Sequence, residues 1–292
     1  MSLAAWVQAT RPWSFPASVS AVLVGASVAA KSLATAAFPW LDFVLVLLGA
    51  ISIHSAGNLT NTFYDYKSGL DKKKTSDDRT LVDGFLKPSQ VFQFAAFWYF
   101  IAVLIGVYFV LLRGSKGLTV LFLLGGFLTF SYTATPFKLK YRALGDIVIF
   151  LCFGPLMVEG TYVVLTQRWD WLMIAFAVPM GCLTEAILHV NNTRDIEADR
   201  ASKAYTIAQM LGRTYSLYLY VILFVGAYTC LLWFAYIFNS VWLLLPVLQV
   251  PWMLNLFQSF HKREWKDLCP RTGQFGLVFG ILFSIGIWFT SM

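Results

Sequence analysis

Two polar strings in an otherwise apolar chain hold the residues able to do chemistry. The first runs from Asn58 through Asn61 and Asp65 to Asp71, with Asn58, Asn61 and Asp65 spaced i, i+3 and i+7. The second runs from Asn191 to Asp199, and Asn192, Asp195 and Asp199 repeat that spacing. On a helix such residues share one face. Carboxylates gathered at one place repel unless cations lie between them, and carboxylate and amide oxygens are hard ligands suited to Mg²⁺. That ion keeps waters and bridges to substrate phosphates. Bases interleave with the acids at Lys72, Lys73, Lys74, Arg79, Lys138, Lys140, Arg142 and Arg194. Acids, Mg²⁺ and bases together describe a diphosphate site, where metal and cations stabilise a departing anion. The competing reading is a pair of solvated loops with capping and ion-pair residues. One string alone would leave the two readings balanced; two in register favour ligands.

The elements that must position these strings are membrane helices. The chain of 292 residues is 58% hydrophobic, 17% aromatic and only 13% charged, with mean hydropathy +0.67. No soluble fold hides that much apolar surface, and disorder requires the opposite composition. The apolar runs are continuous rather than alternating, which excludes barrel strands. Nine spans are expected, near 15–30, 42–61, 91–112, 118–135, 144–165, 171–190, 216–238, 241–260 and 275–291. The first run is as long as the others and reads as a retained span, and the whole chain, 1–292, reads as one intramembrane domain. Nine crossings put eighteen Lys and Arg on one face and four (Lys31, Arg113, Lys116, Arg168) on the other, so the first face is cytoplasmic. Twelve of the fifteen acids share that face. Topology does not require them there. The two strings close the second and sixth spans, four helices apart, which suggests a weak duplication of spans 1–4 in spans 5–8, with the ninth added. The net charge of +7 is accounted for by this loop asymmetry and not by nucleic-acid binding.

Other residues carry less. Glu159, about four turns into a span, is either a neutral hydrogen-bonded structural acid or a group in the substrate cavity. His54 reads as an interhelical hydrogen-bonding group before a metal ligand. His189 could orient Glu185 or a substrate. Cys152, Cys182, Cys230 and Cys269 form no CxxC pair and suggest neither disulfides nor zinc. The 26 Phe, 13 Tyr and 11 Trp serve packing and the interface, with a minority free to wall a tunnel and shelter an allylic cation.

The ordered set of Asn61, Asp65 and Asp71 with Asn192, Asp195 and Asp199 resembles the UbiA superfamily of intramembrane prenyltransferases. The run from Lys73 through Asp77, Arg79 and Asp83, and that from Thr184 through Glu185, His189 and Asn191 to Asp195, resemble its menaquinone-forming members in animals and bacteria. Similarity extends from Arg11-Pro12 through Tyr132, Lys140 and Asp146, then Phe153 to Pro155, and ends near Thr272. The resemblance implies an all-α polytopic fold, about nine helices around a central cavity. It implies Mg²⁺-dependent transfer from a prenyl diphosphate such as geranylgeranyl diphosphate to a naphthoquinol, menadiol or 1,4-dihydroxy-2-naphthoate. Asn61, Asp65, Asp71, Asn192, Asp195 and Asp199 would hold metal. Asp65, Asp71, Asp195, Asp199 and Lys140 would be catalytic, and Asn58, Arg79, Tyr132, Arg142, Glu185 and Arg194 would bind substrate. It further implies membranes of the endoplasmic reticulum and Golgi, or a bacterial inner membrane, and in animals association with HMG-CoA reductase. Two rivals stand beside it. A transporter would place midplane acids between inverted repeats, whereas here the acids sit at helix ends on one face. A sterol- or isoprenoid-responsive binding partner of the reductase would need no metal clusters.

Overall fold

A computed structural model describes residues 3–33, 37–69, 78–112, 114 and 116–291. Among these, helices follow one another without a strand: α1 (Leu3–Ala9), α2 (Pro16–Leu33), α3 (Trp40–Lys67), α4 (Pro88–Val107), α5 (Lys116–Thr133), α6 (Gly145–Leu151), α7 (Met157–Thr166), α8 (Leu172–Arg194), α9 (Ile196–Ala201), α10 (Ile207–Ile237), α11 (Val250–His261) and α12 (Leu268–Phe289). The fold is all-α and integral to a membrane. Among the described residues, eight helical stretches are long and apolar enough to span a bilayer, rather than the nine expected. The exception is the stretch expected at 118–135, whose apolar helix covers only Gly117–Thr133. At about 1.5 Å per residue it falls a few ångströms short of a hydrocarbon core of roughly 30 Å. Packing nonetheless sets it among the spanning helices. A Cβ on Gly49, early in α3, would lie 3.3 Å from Ile105, late in α4; one on Gly57, later in α3, would lie 3.2 Å from Thr129, late in α5. So α4 runs antiparallel to α3, and α5 returns alongside it.

Two spans carry a proline inside a segment that is not α-helical. The one from Gly145 to Thr166 changes at Cys152–Leu156 into a π-helical turn containing Pro155, which has no N–H to donate. The one from Val241 to His261 begins as the 3-10 segment Val241–Gln249, with Pro246 inside. Neither break shows in hydropathy, because an apolar run reads alike in α, π or 3-10 geometry.

The core gathers α2, α8, α10 and α12. Phe176 of α8 stacks on Phe234 of α10 with ring centroids 4.2 Å apart. α8 is the most enclosed span, with 72% of its apolar window buried against 22% for α4. Such enclosure explains how α8 can end in Asn, Thr, Arg and Asp, since its polar end faces protein rather than lipid. Close approach is made by small residues: a Cβ on Gly25 would come 2.5 Å from the carbonyl oxygen of Val158, and one on Gly280 2.6 Å from Cβ of Ser20.

Candidate active site

The polar face of α3 projects into a largely apolar cavity of about 1080 Å³ between the helices. Asp65 is buried and held from two sides. Lys140 Nζ donates to its Oδ2 at 2.8 Å and to Asn61 Oδ1 at 3.0 Å, and the Tyr141 hydroxyl donates to its Oδ1. Lys140 and Tyr141 sit on the 3-10 turn Leu139–Tyr141, flanked by Lys138 (φ 50°) and Ala143 (φ 56°) in the left-handed region. Backbone bonds tie this turn to the stretch between α9 and α10: Ala143 N–H to Tyr205 O at 2.7 Å and Tyr205 N–H to Tyr141 O at 3.2 Å. A loop lysine is thereby fixed on a rigid support.

The second string arrives from α8. That helix stops at Asp195, whose backbone N–H still bonds Asn191 O at 3.0 Å, and the chain turns into α9 carrying Asp199. Arg194 grips the Asp195 carboxylate in fork geometry, Nε to Oδ1 and Nη2 to Oδ2, both 2.7 Å. Burial pushes the Asp199 carboxyl up to about 6, with Asp195 and Asp65 repelling its charge and Lys140 and Arg194 offsetting part of the effect. The ends of α3 and α8 therefore share one electrostatic site. With Asp199 ionised, three carboxylates face the bases Lys140 and Arg194 there, beside the amides of Asn61 and Asn192. This all-oxygen donor set with surplus negative charge fits Mg²⁺.

Asn58, Asn61, Asp65, Tyr132, Lys140, Asn192, Arg194, Asp195 and Asp199 all line the one cavity. Three expected substrate contacts lie elsewhere. Arg79 is engaged with Asp83 in a surface i,i+4 ion pair, where Asp83 raises the Arg79 pKa. Arg142 is exposed, its backbone bridged to Tyr205. Glu185 is buried behind the cavity wall beside Asp146 and His189. The expected ligand Asp71, and Lys72, Lys73 and Lys74, lie outside the described residues. His54 lines the cavity with both ring nitrogens engaged, Nε2 by the Ser14 hydroxyl at 3.0 Å and Nδ1 by that of Ser18 at 2.7 Å. Glu159 accepts the Asp170 backbone N–H at 3.3 Å and does not line the cavity.

One ion pair at the cavity escaped the sequence reading. Arg11 Nη2 donates to Asp78 Oδ2 at 2.7 Å and to the Thr62 hydroxyl at 3.1 Å. Burial would push the Asp78 carboxyl up, yet Arg11 and hydrogen bonds from Thr62 and Thr80 outweigh it and hold the pKa well below the usual range. Asn58 donates to Thr10 O at 2.9 Å and Ser14 Oγ at 3.0 Å, fastening the same N-terminal segment to α3. No local spacing signals a pair 67 residues apart.

Past the polar mouth the walls turn apolar and aromatic, with Phe122, Phe130 and Leu156 among them. The π-turn places Phe153 on the cavity, its ring 4.8 Å from that of His54. An anion-binding end joined to a long greasy chamber suits an amphiphile with a charged head.

Residues 6–285 match the UbiA prenyltransferase family. The chain belongs to that family. Over 288 residues it is 36% identical to UbiA prenyltransferase domain-containing protein 1 of Dictyostelium discoideum, covering 96% of this chain and 86% of the relative. The protein of that name in Danio rerio is 38% identical over 291 residues, covering 97% and 84%. Among solved structures, the apo UbiA homolog of Aeropyrum pernix matches with a TM-score of 0.70 at 14% identity, over 92% of this chain and 96% of that one. A UbiA homolog from Archaeoglobus fulgidus, bound to DMAPP and Mg²⁺, matches with a TM-score of 0.63 at 15% identity, over 96% and 99%. The family is one of prenyl-transferring membrane enzymes, and the fold seen here is theirs.

Proposed function

We propose that the chain transfers an isoprenoid, such as the geranylgeranyl group, from its diphosphate to a naphthoquinol in menaquinone synthesis. The observation carrying this reading is the meeting of Asn61, Asp65 and Lys140 with Asn192, Arg194, Asp195 and Asp199 at the polar end of one apolar cavity. That cavity matches the top of the range for small-ligand sites, about 300–1,000 Å³, as two substrates require. The similarity to UbiA prenyltransferase domain-containing protein 1 supports the substrate class.

Asn61, Asp65, Asn192, Asp195 and Asp199, with Asp71, are the proposed holders of Mg²⁺, which supplies Lewis-acid stabilisation of the leaving diphosphate. Lys140 and Arg194 add fixed positive charge where anionic charge grows. The C1–O bond of the allylic diphosphate breaks, its electron pair leaving with the diphosphate. Aromatic walls such as Phe122, Phe130 and Phe153 shield the allylic cation from water and offer it ring faces. A ring carbon of the quinol then bonds to C1 and the ring loses a proton. No Ser or Cys nucleophile is required. The loops bearing the two strings face the cytoplasm in this proposal, and the resemblance to the animal members suggests the endoplasmic reticulum and Golgi, with HMG-CoA reductase as a partner.

The test is purified protein offered menadiol or 1,4-dihydroxy-2-naphthoate with a series of prenyl diphosphates, scored by product mass. A prenylated naphthoquinol that disappears with excess chelator supports the proposal. Absence of product from every pair, or transfer indifferent to chelator, rejects it.

A further inference from the structure

Behind the cavity wall, a second cluster of ligand-type atoms is sealed from solvent. Asp146 at the start of α6, with Glu185 and His189 one turn apart on α8, bring a carboxylate oxygen, a carboxylate oxygen and an imidazole nitrogen within 4.8 Å of one another. Their exposures are 5%, 5% and 0%. None of the three lines the cavity.

The hydrogen bonding is incomplete in one direction only. His189 Nε2 lies 3.0 Å from the Ser216 carbonyl oxygen of α10. A carbonyl can only accept, so Nε2 carries the proton. The other nitrogen, Nδ1, has no hydrogen-bond partner and stands 4.0 Å from Asp146 Oδ1, beyond hydrogen-bond reach. Asp146 Oδ1 and both Glu185 oxygens are likewise without partners. Four buried lone-pair atoms thus face one another without a hydrogen bond within 3.5 Å, and the Asp146 and Glu185 carboxyls lie close enough that a shared proton or a cation is needed to hold them there. Donation of one imidazole N–H to a backbone carbonyl is the usual second-shell arrangement of a metal-bound histidine, and it leaves the other nitrogen free for the ion.

We infer that Asp146, Glu185 and His189 form a metal site, separate from the all-oxygen site at the cavity mouth, for a borderline divalent ion such as Zn²⁺. The imidazole selects against Mg²⁺ and for zinc, and two carboxylates cancel the ion's charge in a buried place. Zinc bonds of about 2.0–2.2 Å place tetrahedral ligand atoms roughly 3.4 Å apart, so closing the site takes shifts of about 1 Å. Three protein ligands leave the fourth position to a water. The ion's task is fastening. It joins α6, which begins five residues after Lys140, to the α8 turn just before Asn192, with α10 anchored through Ser216.

The experiment uses the full chain in detergent, stripped by chelator, reloaded with Zn²⁺ or Co²⁺ alone and washed. Metal content and the visible d–d bands of Co²⁺ are then read. About one Zn²⁺ per chain, and a Co²⁺ spectrum of mixed nitrogen and oxygen ligation, are expected from the unmutated protein. Both should persist in an Asp65→Asn/Asp195→Asn variant and be lost in His189→Gln and in Glu185→Gln. Should His189→Gln fail to purify as a folded protein, Glu185→Gln carries the comparison, because the amide keeps the shape of the acid. Reloading should also raise the Tm of the unmutated protein and leave that of Glu185→Gln unmoved. Absence of retained Zn²⁺ in the unmutated protein overturns the site, as does unchanged retention in Glu185→Gln. So does loss of the ion with Asp65 and Asp195.

Discussion

Lys140 reaches both Asn61 and Asp65 at the cavity, while Arg79 pairs with Asp83 at the surface, and these placements separate two bases that look alike in sequence. Lys140→Gln should lower kcat/KM by about 10²-fold or more, as loss of a fixed charge at a developing anion does. Arg79→Gln should stay within about twofold, since exposed ion pairs contribute little. Steady-state kinetics of the two variants side by side checks both. Asp199 brings a pH dependence. Its carboxyl, raised to about 6 by burial and its acidic neighbours, keeps a proton below that pH which the unfolded chain, with an ordinary aspartate, releases near 4. The metal-free site is therefore favoured at low pH and loses stability as pH rises toward about 6. A divalent ion must displace that proton, so half-saturating Mg²⁺ should rise up to about tenfold per unit as pH falls below 6. Mg²⁺ titrations of activity at pH 7.5, 6.5 and 5.5 (assay conditions) read this directly; a flat requirement would remove Asp199 from the ligands. Asn61, Asp65, Asn192 and Asp195 were legible in sequence because i, i+3 and i+7 spacing groups them locally, while Asp199 reaches the site from α9, across the break at Asp195. Arg11 with Asp78 was not, because only tertiary folding joins them.

The helices explain why two strings far apart in sequence become one site. α3 and α8 end at the same level, and the Leu139–Tyr141 turn after α5 reaches back to Asp65. That return is made by α5, an apolar helix too short to count as a span by itself. If α5 also crosses, Ser68, just past α3, and Ser291, past α12, are expected on opposite faces, with Ser68 on the base-rich face. Single cysteines at Ser68 and Ser291, both exposed, should label from opposite sides of sealed vesicles. Labelling from the same side would remove one crossing. Continuous apolar runs made the spans legible. The breaks at Cys152–Leu156 and Val241–Gln249 were not, since Pro155 and Pro246 mark a lost N–H without saying which geometry absorbs it. Nor did hydropathy show that α3 runs on to Lys67, because its polar last turns are satisfied by protein and by Lys140.

For the whole molecule the decisive feature is the joining of a charged mouth to an apolar chamber inside the bilayer. A core of α2, α8, α10 and α12 holds α8 rigid, while α3, α4, α5 and α7 wall the chamber. Hydrophobicity announced the membrane and the Asn/Asp strings announced the mouth, but the chamber is a property of packing and had no signal in any one segment. The central claim is that α3 and α8 each contribute acids to one metal-dependent diphosphate site. Product formation by Asp65→Asn, Asp195→Asn and the double variant, at matched expression and across a Mg²⁺ titration, tests it most directly. Asparagine keeps the shape and one oxygen but loses the charge, and caps a helix as well as aspartate does. Shared metal capture requires losses of about 10²-fold or more in each single variant, partly recovered at high Mg²⁺, with the double variant falling little further than the worse single one. Near-normal activity of both single variants at low Mg²⁺ would contradict it and return these acids to a structural role.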